Sequence, residues 1–125
     1  MHELSIAINL VEYVSEEAAQ AGWERVSAVH LKIGPLSGVV SDALLFSFEV
    51  AAAGTVLEAA RLIIEDVPII AFCPTCQTEQ SLPDTFSLAC PVCDTPTPDI
   101  RQGREMEVTA LEVHSADVHQ EDAES

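Results

Sequence analysis

The sequence predicts an α+β fold: two helices packed on a small three-stranded sheet, with an inserted zinc-ribbon-like lobe. Three observations lead to this prediction. Apolar residues recur at helical spacing in two segments, and they alternate with polar residues in three others. A segment rich in proline and cysteine separates the second predicted strand from the third.

The first predicted helix covers roughly residues 4–20, and Gly22 lies where a left-handed C-cap would end it. Its apolar residues at helical spacing are Leu4, Ala7, Ile8, Val11, Val14 and Ala18. The first strand is predicted at residues 26–33, where apolar and polar side chains alternate until Gly34 and Pro35 end the pattern.

The second predicted helix covers about residues 42–53, with Ser41 as its N-cap, and a second strand follows at 57–67. A third strand begins at Met106. The predicted domains follow from these elements. Residues 1–67 plus 104–113 form an α+β body, 68–103 an inserted lobe with few large apolar side chains, and 114–125 an acidic, disordered tail.

Composition excludes several classes of partner. The 125 residues carry a formal net charge of −16, from 21 acidic and 5 basic residues, and this charge repels a phosphate backbone. No segment approaches the roughly 18 to 20 apolar residues that span a bilayer, and the N-terminus lacks the positive region of a secretory signal. We therefore expect a cytoplasmic protein that binds neither nucleic acid nor membrane.

The cysteines form two CxxC pairs, Cys73 with Cys76 and Cys90 with Cys93. In a reducing compartment this spacing indicates a tetrahedral metal site more than disulfides, and the 13 residues between the pairs fit a short hairpin of the zinc-ribbon kind. Four thiolates leave no open coordination position, so the predicted Zn(II) is structural. Iron bound by the same sulfurs and a dithiol redox pair remain alternatives.

The N-terminus offers a second set of metal ligands. The Met1 amine, the backbone nitrogen of His2 and the His2 imidazole lie within fused chelate rings, a layout that favours Ni(II) or Cu(II). Simpler explanations stay open at this point. A histidine near a terminus is usually only solvated, and Glu3 near a helix start is favoured by the helix dipole.

Several segments together closely resemble the HypA/HybF family of hydrogenase maturation factors, from the N-terminus to about Val113. The matching segments are Met1-His2-Glu3-Leu4-Ser5, Ile33-Gly34-Pro35-Leu36-Ser37-Gly38-Val39, Leu62 to Pro68 and the two CxxC pairs. Members of this family are nickel metallochaperones that serve [NiFe] hydrogenase and, in some organisms, urease. The resemblance implies that this chain is a carrier and not an enzyme.

The resemblance also implies the site residues and partners. His2 would be the essential nickel ligand, with Met1 and Glu3 as further ligands, and the four cysteines would bind zinc. The implied partners are a HypB-type GTPase, the precursor of the [NiFe] hydrogenase large subunit and urease accessory proteins. The chain itself would be a monomer or a homodimer.

The rival interpretation is a zinc-ribbon protein-interaction module with no labile metal. The remaining histidines do not favour either reading. His30 lies in a strand pattern and is expected to be a packed or edge residue, and His114 and His119 lie in the predicted tail, where solvation is expected.

Overall fold

The computed structural model describes residues 2–83, 85, 88–97 and 99–115. Within them lie the helices α1 (Glu3–Ala21) and α2 (Ser41–Ala52), the 3-10 turn Pro35–Ser37, and the strands β1 (Trp23–Ile33), β2 (Arg61–Asp66), β3 (Ile69–Cys73), β4 (Thr78–Leu82), β5 (Asp99–Gln102) and β6 (Met106–Ser115). The strands form two sheets of three, in the orders β2-β1-β6 and β4-β3-β5. The predicted α+β fold is confirmed.

The chain divides into two compact units. Within the described residues, the first unit comprises 2–31, 40–63 and 108–115, and the second falls within 32–39 and 64–107. The domain boundaries expected from the sequence stay a prediction, because compact packing alone does not make a segment a domain. Of the predicted tail, His114 and Ser115 end β6, and residues 116–125 lie outside the described residues.

No helix in the described part of the chain is long and apolar enough to cross a membrane.

Helix α1 buries a narrow apolar stripe in the first unit. The buried residues are Ala7, Val11, Val14 and Ala18, spaced three or four apart, as one face of a helix requires. Leu4 and Ile8, which the sequence pattern included, are 49% and 41% exposed. Gly22 ends the helix with φ 76°, and its N–H donates to the Ala18 carbonyl at 2.9 Å.

Helix α2 begins differently from the sequence prediction. Its N-cap is Val40 and not Ser41, and Val40 has no side chain that could cap the helix. The Val40 N–H donates instead to Oε2 of Glu3 at 2.8 Å. Glu3 therefore links the start of α1 to the start of α2, whose buried face is formed by Leu44, Phe48 and Ala52.

Strand β1 is the central strand of the first sheet. Consecutive residues Ala28 and Val29 are both buried, which is typical of a strand covered on both faces. Strand β2 is shorter than predicted, because residues 55–60 form turns in which Thr55 Oγ1 donates to the Ala52 carbonyl at 2.7 Å. A hydroxyl that donates a hydrogen bond to a nearby backbone carbonyl favours a turn over an extended strand.

The second unit has its own small apolar cluster. Ile69, Ala71 and Leu82 are buried, with Leu36 and Ile100 packed against them. Strand β3 is central and pairs antiparallel with β4 and β5.

The expected hairpin between the two CxxC pairs falls partly on residues 84, 86 and 87, which lie outside the described residues, and it stays a prediction. Strand β4 pairs with β3, on the other side of the first cysteine pair, with Cys73 opposite Thr78. The first cysteine pair itself is therefore the hairpin turn.

Candidate metal centres

The four cysteines converge on one point of the second unit. Their sulfurs all lie within 4.8 Å of one another, and three of the pairs are 3.5, 3.9 and 3.7 Å apart. A disulfide would need about 2.05 Å. A tetrahedron of thiolates at about 2.3 Å from a zinc ion has edges of about 3.8 Å, so the sulfur spacing fits a four-thiolate metal site.

Backbone geometry presents these sulfurs. Cys73 ends β3, and its sulfur accepts a hydrogen bond from the N–H of Cys76 at 3.3 Å. The sulfur of Cys90 accepts one from the N–H of Val92 at 3.4 Å. Each CxxC pair is followed by a residue with left-handed backbone, Gln77 at φ 57° and Asp94 at φ 66°. Glycine would take this conformation without strain, so Gln77 and Asp94 bear a backbone strain that the two turns impose on them.

Burial and hydrogen bonding distinguish the four sulfurs. Cys73 and Cys90 are buried, Cys76 is half-buried and Cys93 is exposed. The pKa of Cys93 is lowered to about 6, first by the hydroxyl and then by the backbone of Thr95. The pKa of Cys76 is raised to about 12, first by its hydrogen bond with Cys93 and then by burial. Each thiolate opposes ionisation of its neighbours at these distances, and a divalent cation at the centre would remove this opposition.

The structure places His2 at the surface, as the N-cap of α1. Its backbone is left-handed, at φ 56° and ψ 24°, and its side chain makes no capping hydrogen bond. The His2 carbonyl accepts the N–H of Ile6 at 3.0 Å and so belongs to the helix. The helix does not use the backbone N–H of residue 2, because the first N–H groups of a helix have no intrahelical acceptor.

Glu3 is buried, with 8% of its surface exposed. Its pKa is lowered to about 2, first by the charged amino terminus and then by the Val40 N–H, so the group is a carboxylate at neutral pH. A carboxylate offers about four acceptor sites, so the Val40 hydrogen bond is compatible with metal binding.

The nickel ligand set stays a prediction. Met1 lies outside the described residues. The only group of three or more histidine, cysteine or acidic side chains with metal-binding geometry in the described part of the chain is the cysteine cluster.

Of the other histidines, His30 and His114 are described by the structure, and neither belongs to a ligand cluster there. Nε2 of His30 lies 2.7 Å from Oε2 of Glu112, and this hydrogen bond lowers the pKa of Glu112. His114 lies near the end of β6, and His119 lies outside the described residues.

The α+β fold and the four-cysteine lobe define the class: a small metal-binding protein. A family model described as hydrogenase/urease nickel incorporation, metallochaperone, HypA, matches residues 1–113. The chain belongs to the HypA family, whose members are metallochaperones and maturation factors and not enzymes. The resemblance drawn from the sequence is confirmed.

Relatives and solved structures agree with this assignment. A hydrogenase maturation factor HypA of Chloroflexus aurantiacus is 56% identical over 112 residues, covering 90% of this chain and 98% of the relative. One of Streptomyces avermitilis is 41% identical over 120 residues, covering 95% and 92%. The solution structure of the Ni metallochaperone HypA from Helicobacter pylori superposes with a TM-score of 0.63 at 26% identity, covering 92% of this chain and 99% of that one.

Two features of the sites were missed from the sequence. The contact between Glu3 and Val40 joins residues 37 apart, and no local pattern indicates it. Thr75 and Thr95 lie beside the cysteine cluster, where the sulfur of Cys93 is 3.1 Å from Oγ1 of Thr95. A threonine within or just after a CxxC pair was the available signal, but threonine is common in turns.

Proposed function

We propose that this chain is a nickel carrier that binds Ni(II) at its N-terminus and delivers it for maturation of [NiFe] hydrogenase. The ligands are His2, the Met1 amine and Glu3. The observation that carries the proposal is the exposure of His2 at the start of α1, beside a carboxylate anchored in the first unit.

A carrier must take up and release its cargo. A surface histidine next to a chain terminus is open to solvent and to an acceptor protein, which supports exchange. The ionised state of Glu3 adds negative charge next to His2, and this charge favours a divalent cation. A nitrogen-rich ligand set favours Ni(II) over Mg(II) or Ca(II), which prefer oxygen ligands.

Zinc at the cysteine cluster has the complementary role. Four sulfur ligands saturate a tetrahedral ion, so this ion stabilises the lobe and is not handed over. The apolar cluster of Ile69, Ala71 and Leu82 in the second unit is small, and a bound metal would add folding free energy to it.

The proposed partners follow from the family description of hydrogenase and urease nickel incorporation. They are the precursor of the hydrogenase large subunit, a HypB-type GTPase and, where urease is present, its accessory proteins. Handover would take place in the cytoplasm.

Nickel titration of the zinc-loaded protein tests the nickel site. We expect His2→Ala to abolish nickel uptake while zinc content stays at one ion per chain. His30→Ala is the matched control, because it removes an imidazole paired with Glu112 and should leave nickel affinity unchanged. Extension of the chain by one residue before Met1 converts the amine into an amide and should also abolish uptake.

Unchanged nickel affinity in His2→Ala would refute the proposed site. Absence of nickel binding in the unaltered protein, together with a specific protein complex that requires only the lobe, would favour the interaction module instead. Metal analysis that finds iron in place of zinc would refute the structural zinc.

A further inference from the structure

We propose that Thr95, oriented by Thr75, is a positioning residue of the zinc centre that hydrogen-bonds the exposed Cys93 thiolate and reduces its reactivity. This inference rests on the proposed zinc at the cysteine cluster. It concerns the one sulfur of the four that solvent and reagents reach most easily.

The contact geometry is a chain of three groups. Oγ1 of Thr95 lies 3.1 Å from the sulfur of Cys93 and 3.0 Å from Oγ1 of Thr75. Thr75 stands in the first CxxC pair and Thr95 follows the second, so the two hydroxyls also join the two turns that carry the ligands. Such a link is independent of the metal.

Proton positions in this chain depend on the state of Cys93. A thiol can donate to Thr95, whose hydroxyl then donates to Thr75. A thiolate ligand has no proton, so Thr95 must donate to the sulfur, and Thr75 must donate to Thr95. The Thr75 hydroxyl can donate as well as accept, so it stabilises the orientation of the Thr95 hydroxyl that a metal-bound thiolate needs.

The four sulfurs differ in burial and in the hydrogen-bond donors that they face. Cys73 and Cys90 are buried and each accept a backbone N–H at 3.3 or 3.4 Å. Cys93 lacks the protection of burial, and the hydroxyl of Thr95 supplies a donor in its place. A hydrogen bond to a thiolate withdraws electron density, and lower basicity means lower nucleophilicity.

The test uses the zinc-loaded full chain and its cobalt-substituted form. Thr95→Val keeps the side-chain shape and removes the hydroxyl, and Thr95→Ser should restore it. Loss of a hydrogen bond to a thiolate raises the basicity of the sulfur by about ten- to hundredfold. About 0.4–0.5 of that change, on a logarithmic scale, reaches the nucleophilicity, so we expect Thr95→Val to speed alkylation of Cys93 by iodoacetamide about three- to tenfold. Mass spectrometry locates the modified cysteine. The sulfur-to-cobalt charge-transfer band should move to longer wavelength.

Two further variants separate positioning from folding. Thr75→Val should change the rate and the band in the same direction but less, because Thr95 remains. Thr97→Val is the matched control: Thr97 is fully buried, and its hydroxyl donates to the Leu88 carbonyl at 2.8 Å and not to a sulfur. It should lower stability and leave the charge-transfer band unchanged.

The outcomes are distinguishable from those of the proposed function. If the protein binds no zinc or cobalt, the proposed structural zinc fails first. If metal is bound and Thr95→Val has the alkylation rate and band of the unaltered protein, the role of Thr95 is refuted. If Thr95→Val fails to fold, an unchanged band and an unchanged rate in Thr75→Val refute it instead.

Discussion

Replacement of Gly34 by alanine should destabilise the second unit by several kcal/mol. The reason is close approach of the backbone and not an unusual φ, which is −99° at this residue. A Cβ on residue 34 would lie 2.2 Å from both C and O of Gly103 and 2.7 Å from Oε1 of Glu105. The loop around Gly103 would have to move by about 1.2 Å to reach ordinary contact at 3.4 Å.

The expected magnitude follows from what this movement breaks. The Gly34 N–H donates to the Glu105 carbonyl at 2.9 Å, and the Leu36 N–H donates to the Gly103 carbonyl at 2.7 Å. Loss of two backbone hydrogen bonds costs about 2 kcal/mol, and overpacking adds about 1 to 3 kcal/mol. We therefore expect Gly34→Ala to lower the free energy of unfolding by about 3 to 5 kcal/mol.

Hydrogen exchange of the β3–β5 amides in the zinc-loaded protein measures this loss. Gly38→Ala is the matched control: at φ 81° it costs about 1 kcal/mol of backbone strain, and its Cβ would meet nothing within 4 Å. A loss in Gly34→Ala no larger than the roughly 1 kcal/mol expected of Gly38→Ala would refute the close-approach argument, because residue 34 has no positive φ to strain.

Three further predictions concern single contacts and the metal. Gln77→Gly should leave the melting temperature of the zinc-loaded protein unchanged or raise it, because glycine adopts the left-handed backbone of residue 77 without strain. Calorimetry measures this temperature. A lower melting temperature would mean that the glutamine side chain itself stabilises the turn. The hydrogen bond from His30 lowers the pKa of Glu112 in the folded protein. The stability that this hydrogen bond contributes is therefore fully present above the pKa of Glu112 in the unfolded chain, about 4.3, and is lost as the pH falls through the lower pKa of Glu112 in the folded protein. The difference in urea stability between the unaltered protein and Glu112→Gln should therefore shrink in acid, and a constant difference would contradict this. Zinc removal by a chelator should cost the lobe on the order of 10 kcal/mol and abolish amide protection in β3–β5 while that of α1 persists; retained protection would exclude a structural metal.

The elements of the first unit could be predicted where a regular period runs through many residues. Helix α1 and strand β1 bury residues at helical and near-alternating spacing, and Gly22 and Gly34 mark their ends. Strand β6 follows its pattern more weakly, since it is an edge strand and Met106 is 42% exposed. Burial enforces alternation, so an exposed edge preserves less of it.

The second unit could not be predicted at the same level. Its strands have four or five residues, too few to show a period, and β3 consists almost wholly of apolar residues. The cysteine spacing predicted which four side chains meet, because each pair must present two sulfurs to one point. It did not predict that the first pair would be the turn of a hairpin, since that depends on pairing between β3 and β4.

Glu3 belongs at once to a helix start and to a predicted metal site, and this governs how its variants must be read. Its carboxylate accepts the Val40 N–H at 2.8 Å, so Glu3→Ala removes an anchor of α2 and costs about 1 kcal/mol regardless of nickel. Loss of nickel affinity in that variant would have two causes. Glu3→Gln retains an oxygen acceptor for Val40 and removes the charge, so the difference between the two variants isolates the anchoring contribution. His2 needs no such correction, because its exposed side chain makes no capping hydrogen bond.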